Sequence, residues 1–374
     1  MDFSFTDDQE ALAALARQIL TDRVTHEYLT ELEGRGGERI DPELYRALAE
    51  ADLLGVALPE EDGGLGRGLV DQCLVLREIG RTLAPVPVGP SLVTGALPIA
   101  RFGTGHQRAR WVRPAAEGRA VLTAALAEPY GRSPQDLATT AERADGGWRL
   151  TGVKTGVPAG TLADVVLVPA RAEGRPALFL VEPGAAGVTV EAQRTTNFDT
   201  AARITLDGAA VGPDALLGGD AGLETGAAAL DWLAQHATVA LCAQQLGVVE
   251  RSVEMIAEYT TNRVQFERPI ATFQAVGHRA ADAYIDAEAI RLTLWQAAWN
   301  LEAGRAAGLE VATAKLWAAE GGHRVAHALV HLHGGMGVAR EYPAHRYFVH
   351  AKQIELMLGG ATEQALRIGA ALAS

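Results

Sequence analysis

The stretch RVQFERPIATFQAVGHRAADAYIDAEAIR, residues 263–291, decides how this chain is read. Within it, Arg263, Phe266, Ile270, Phe273 and Gln274 stand at the spacing R-x-x-F-x-x-x-I-x-x-F-Q. A guanidinium can hold a pyrophosphate, a phenyl ring can lie against an adenine, and an amide can bond a flanking polar edge. A second stretch, LHGGMGVAREYPAHRYFVHAK at 332–352, contains the pair Gly334-Gly335, where backbone can approach a phosphate or a ribityl chain closely.

Outward from these motifs the chain divides by pattern. Apolar residues recur at helical spacing over roughly 225–262, 273–304, 309–332, 344–357 and 362–372. Those lengths predict a four-helix bundle with a terminal extra helix. Upstream, GWRLTGV, ADVVLVPA, PALFLVEP, GVTVEAQ and ARITLDG read as short strands broken by Gly, Pro and Asp, so a small β-domain is expected there. The first segment reads as helical. Thr6-Asp7-Asp8-Gln9 is a capping-box pattern, and Leu12, Leu15, Ala16, Ile19 and Leu20 follow at helical spacing. Further helices are expected over about 41–53, 69–82 and 88–103, separated by turns such as PEEDGGLGRG and APVPVGP. The expected class is α+β, with an N-terminal helical domain over about 1–120, a middle β-domain over about 121–221 and a C-terminal helical bundle over about 222–374.

The 374 residues are 48% hydrophobic and 21% charged, enough for two or three packed units. A net charge of −13 argues against general affinity for nucleic acid or anionic lipid. A small-molecule or protein partner fits that balance better. Cys73 and Cys242 lie far apart and make no disulfide framework. The acidic start MDFSFTDDQE and the lack of an apolar run of spanning length lead to the expectation of a cytoplasmic protein without a membrane anchor.

Taken together, the two motifs and the helix–strand–helix order resemble the acyl-CoA dehydrogenase family over essentially the whole chain. LLGVALPEEDGGLG at 53–66 resembles that family's first-domain signature, and LAEPYG at 126–131 resembles its T-E-P-x-x-G flavin loop. The resemblance implies a tetramer with each FAD at a subunit interface, oxidising an acyl-CoA thioester to its trans-2-enoyl product. It also implies an electron-transfer flavoprotein as acceptor and no metal. In that chemistry a carboxylate removes the α-proton, the β-hydride passes to the flavin, and the thioester carbonyl must be polarised.

Against this pattern the acid is missing. Alignment through the last helix places Gly359 at the family's base position, and Ala237 stands at the position used by a second subgroup. Glu363 and Glu355 are the carboxylates that a relocated base would use, although a Glu early in a helix also has a simple role beside the helix dipole. The ring-holding half of the flavin site is altered too: Ala127 replaces a Thr, Gly156 a Trp and Pro158 a Thr or Ser. The half that one subunit lends its neighbour is retained in Arg263, Phe266, Ile270, Phe273, Gln274, Gly334 and Gly335, with His331 where a Gln is common.

That asymmetry resembles the non-catalytic subunit of actinobacterial α2β2 dehydrogenases acting on CoA-activated steroid side chains such as that of cholesterol. It implies a homologous partner that brings the catalytic carboxylate and shares the FAD. Two other readings stay open: a self-sufficient homotetrameric dehydrogenase with a relocated base, and a non-redox acyl-CoA binding or structural protein. His323, His327, His331 and His333 fall at helical steps, and buried or interface roles fit them better than a metal.

Overall fold

The computed structural model describes residues 4–131, 133–144 and 146–373. It shows an α+β fold with N-terminal helices, a β-sheet in the middle and a C-terminal helical bundle. The N-terminal helices are α1 (Asp7–Arg23), α2 (His26–Gly34), α3 (Pro42–Glu50), α4 (Leu69–Thr82), α5 (Leu97–Phe102) and α6 (Gly105–Ala116). Thr6 caps α1 with the reciprocal pattern its sequence predicts: the Gln9 N–H donates to Thr6 Oγ1, and the Thr6 N–H donates to Gln9 Oε1. The buried face of α1 is Leu12, Ala13, Ala16 and Leu20, whereas Leu15 is exposed. The expected helix over 88–103 begins as a π-helical segment, Gly89–Ala96, before α5. Neither α2 nor α6 was anticipated from the sequence.

The sheet strands are β1 (Leu122–Ala124), β2 (Thr140–Ala144), β3 (Gly147–Pro158), β4 (Val165–Ala172), β5 (Arg175–Val181), β6 (Val188–Arg194) and β7 (Thr200–Val211). Their order is β1-β4-β2-β3-β7-β6, with β5 also paired to β4. Pairing of β4 with β1 and β2 is parallel, and all other pairs are antiparallel. Trp148 and Phe179 meet edge to face in the core among Leu150, Val166, Val168, Ile204 and Leu206. The strands β1 and β2 escape a sequence reading because they are short, and the TAERA of β2 has little β propensity. Their ladder partners on β3 and β4 impose the conformation.

The C-terminal part contains α7 (Gly222–Asn262), the two-stranded hairpin of β8 (Val264–Gln265) and β9 (Arg268–Pro269), α8 (Gln274–Glu302), α9 (Gly308–His333), α10 (Ala344–Leu356) and α11 (Ala361–Ala373). Here α9 packs against α8, α10 and α11. The helices α4 and α7 approach through glycine: a Cβ at Gly80 would lie 2.0 Å from the Gln244 carbonyl oxygen, and one at Gly247 would lie 1.9 Å from that of Arg77. Any side chain there would force the two helices apart.

The chain forms two compact units. One comprises the segment up to Gly36, Leu69–Ala84 and everything from Thr238 onward; the other comprises Gly37–Gly68 and Pro85–Ala237. Among the described residues, no helix is long and apolar enough to cross a membrane.

Candidate functional site

The nucleotide-type motif folds into the β8–β9 hairpin and the start of α8. Arg263 follows α7 with its backbone fixed on both sides: its N–H donates to the Tyr259 carbonyl, and its own carbonyl accepts from the Ile270 N–H, both at 2.8 Å. Its side chain is exposed, and among the described residues it has no carboxylate partner. The hairpin turns at Phe266 and Glu267, which both lie in the left-handed region at φ 52° and 63°. Two-residue hairpins need this geometry and usually meet it with Asn-Gly. Using Phe and Glu instead costs on the order of 1–3 kcal/mol per residue, a strain that marks functional segments more often than structural ones.

The two phenyl rings of the motif differ in availability. Phe273 carries the Arg268 guanidinium 4.1 Å above its ring. Phe266 touches Phe273 only edge to face, at 6.1 Å between centroids, and is 86% exposed. It is therefore the ring with faces open to a planar ligand. Ile270 lies in the short helical turn Ile270–Thr272, and Gln274 opens α8 with an exposed side chain.

The second motif ends α9. Gly334, at φ 59° and ψ −137°, takes a backbone conformation that side chains avoid. A Cβ at Gly335 would meet nothing within 4 Å, so the fold itself leaves that backbone open to approach. Of the histidines, His331 is exposed beside this turn. His333 is buried, bonds the Leu329 carbonyl through Nδ1 at 2.7 Å and stacks on Tyr259 at 4.3 Å. Burial holds its pKa below the ordinary value. The rings of His323 and His327 lie 4.3 Å apart, tilted by 33°. Among the described residues, no three His, Cys, Asp or Glu side chains gather as a metal ligand set.

The expected base positions lie in different surroundings. Ala237 is buried in α7. Gly359 has φ 93°, and a Cβ there would lie 3.0 Å from Gln364 Nε2 and 3.2 Å from the Glu363 Cβ. Leu358, with φ 56°, precedes it in the same left-handed region. The turn is held from inside: Lys315 Nζ donates to the carbonyls of Glu355 and Gly359, and Gln364 Nε2 donates to those of Leu358 and Gly359. Glu355 is engaged by Lys352 at 2.6 Å and faces His323 at 3.2 Å. Glu363 is exposed in the first turn of α11.

The ring-side residues belong to the other compact unit. Glu128 of the LAEPYG loop forms a buried ion pair with Lys154 of β3 at 2.6 Å and accepts N–H bonds from Ala138 and Thr139. Burial pushes this carboxyl up, but Lys154, Thr139 and Ala138 together outweigh it and hold the pKa below the ordinary range. The Ala127 carbonyl accepts from the Thr155 N–H. Gly156 is exposed at φ 58°, and its N–H donates to Gln193 Oε1 at 2.6 Å. Pro158 has no N–H, and its carbonyl accepts from Thr123 Oγ1. This edge thus offers no aromatic face and no hydroxyl at 156 or 158, and the N–H of Gly156 is already taken. Sequence reasoning missed Lys154, Lys315 and Gln193, because each acts on a residue far away in sequence.

N-terminal helices, a middle β-sheet and a C-terminal helical bundle, in that chain order, are the organisation of an acyl-CoA dehydrogenase type of fold. Residues 224–373 match the acyl-CoA dehydrogenase C-terminal domain and residues 6–119 the acyl-CoA dehydrogenase N-terminal domain. The chain belongs to the acyl-CoA dehydrogenase family. It is 44% identical to acyl-CoA dehydrogenase FadE27 of Mycobacterium tuberculosis, covering 100% of this chain and 99% of that protein. It is 30% identical to FadE28 of the same organism, covering 99% and 98%. Among solved structures, the ChsE4-ChsE5 complex from Mycobacterium tuberculosis contains a chain with TM-score 0.94 and 44% identity, covering 100% of this chain and 99% of that one. The Tcur3481-Tcur3483 steroid ACAD contains one with TM-score 0.91 and 44% identity, covering 98% of each.

Proposed function

We propose that this chain is the non-catalytic subunit of a heterotetrameric, FAD-dependent acyl-CoA dehydrogenase, and that it completes the flavin site of a homologous catalytic partner. The observation that carries this reading is the asymmetry between the two halves of the site. On the lending side, Arg263 is uncommitted, Phe266 is 86% exposed on a strained turn, and Gly334-Gly335 leave backbone open. These residues suit the adenine and pyrophosphate of FAD, with Ile270, Phe273, Gln274 and His331 around them. On the ring side, Ala127, Gly156 and Pro158 lack the groups that would grip an isoalloxazine, and both base positions lack an acid. A chain active by itself needs both halves; a lender needs one.

The flavin would supply hydride acceptance in the partner's site. This chain's contribution is binding and orientation, through charge at Arg263 and the face of Phe266. The partner would bring the carboxylate, and an electron-transfer flavoprotein would take the electrons. Support for the substrate class comes from relatives: the Tcur3481-Tcur3483 protein is a steroid ACAD, and this chain is 44% identical to one of its chains. A CoA-activated steroid side chain is accordingly the proposed substrate. Similarity to a chain of the two-component ChsE4-ChsE5 complex supports the heteromeric assembly.

The test is Arg263→Ala in the complex co-expressed with a candidate catalytic subunit. Flavin content should fall several-fold while the assembly keeps its native mass. Unchanged flavin would end the lending role. Full turnover by this chain alone, abolished by Glu363→Gln, would instead establish a self-sufficient enzyme with a relocated base.

A further inference from the structure

We infer that Gln193 is an internal cap on this chain's own ring-side edge, holding strand β3 in a shape that cannot receive a flavin. The inference rests on the lending function proposed above and assigns a residue to the closure of the second half-site. Strand β3 pairs with β7 at Lys154↔Ile204 and again at Val157↔Ala202, so Thr155 and Gly156 together face the single residue Arg203. This is a β-bulge, and Gly156 occupies its left-handed position at φ 58°. The N–H of Gly156 is directed there to a side chain, that of Gln193. Gln193 lies on β6, with β7 between it and β3. Its side chain reaches across β7 beside the small residue Ala201, its pairing partner on that strand.

Its amide then engages the whole bulge. Gln193 Oε1 accepts from the Gly156 N–H at 2.6 Å, and the amide exchanges a hydrogen bond with Thr155 Oγ1 at 3.2–3.3 Å. Folding does not require this contact, because Gly156 is exposed and water can satisfy its N–H. What the cap does is fix the bulge and take its donor. Space is available at the position: a Cβ at Gly156 would meet nothing within 4 Å. The obstacle to an aromatic residue is therefore the backbone conformation that the cap holds, since a side chain at positive φ is strained.

Two variants of the co-expressed complex separate this cap from the simple loss of ring-side residues. Gly156→Trp/Pro158→Thr restores the ring-side types at 156 and 158, the two positions on the capped strand, and leaves Gln193 in place, and adding Gln193→Ala removes the cap. Flavin per chain should stay at the wild-type level in the double variant and rise, by up to about twofold, in the triple variant. A rise in both, or in neither, overturns the cap. Hydrogen exchange at the Gly156 amide gives a reading that does not depend on those replacements: Gln193→Ala should speed it by about tenfold, and Gln193→Glu, which keeps an acceptor oxygen, should not. Equal exchange in wild type and Gln193→Ala overturns the cap as well. The wild-type flavin count keeps the two ideas apart. About one flavin per chain would sink the lending role itself, whereas about half with no gain in the triple variant would sink only the cap.

Discussion

Lys315 is fully buried in α9 with two backbone carbonyls as its hydrogen-bond partners, those of Glu355 and Gly359. Burial is the largest influence on it and pushes its pKa down to about 8. A neutral amine still has two N–H donors, enough for both carbonyls, so the turn survives the loss of charge. The unfolded chain keeps the ordinary value of 10.5. Between these values the unfolded state binds more protons than the folded one, so stability rises with pH, by at most about 1.4 kcal/mol per pH unit. Below about pH 8 both states carry the charge and this contribution is flat. The difference in unfolding free energy between wild type and Lys315→Met should therefore climb from pH 8 to 9.5 in chemical denaturation, and a constant difference would show that the ammonium is not desolvated. Nothing in VATAKLWAAE announces this role. The two carbonyls it binds lie far along the chain, and backbone acceptors leave no trace in side-chain identity. By contrast, Arg263, Phe266 and Gly334 could be nominated from the sequence, because the chemistry proposed for them is carried by residue type at a fixed local spacing.

At the scale of elements, the five C-terminal helices were readable because each repeats its apolar face over several turns; the observed Gly222–Asn262 and Gln274–Glu302 fall close to the stretches expected from periodicity. Short strands such as β1 and the shapes of turns were not readable, since pairing and left-handed backbone are set by distant partners. The hairpin and the 356–360 turn show what this means for mutation. Phe266→Ala removes an exposed ring and should change the melting temperature little, corresponding to less than about 0.5 kcal/mol, while lowering flavin content in the complex. Gly359→Ala should act in the opposite manner. It places a Cβ at φ 93° and 3.0 Å from Gln364 Nε2, for a loss of about 1–2 kcal/mol, and should leave flavin content unchanged. Thermal melts and flavin counts on the two variants would expose any exchange of these effects. Gly359 therefore combines a backbone conformation that side chains avoid with the absence of a carboxylate.

For the whole molecule, the decisive quantity is how much apolar surface one copy leaves uncovered. Along α8, Ile285, Leu292 and Trp299 are 60%, 51% and 36% exposed at seven-residue steps, the spacing of a seam between helices. A stripe of this kind on a chain of net charge −13 is costly to leave in water and has no catalytic task. If the proposed assembly covers it with other subunits, assembly and flavin content should be linked. Ile285→Glu/Leu292→Glu places two carboxylates on the stripe without touching the motif residues. The folded chain should tolerate them, because both positions are exposed in it. In the co-expressed complex, native mass should fall below that of four chains, and flavin should be lost in step with assembly. A four-chain complex retaining its flavin would mean that this face of α8 is not a seam. A smaller complex retaining its flavin would be more informative still: the pair of chains that shares a flavin would then be stable without the contacts made through α8, and the hairpin around Phe266 would be sufficient to hold the partner's site.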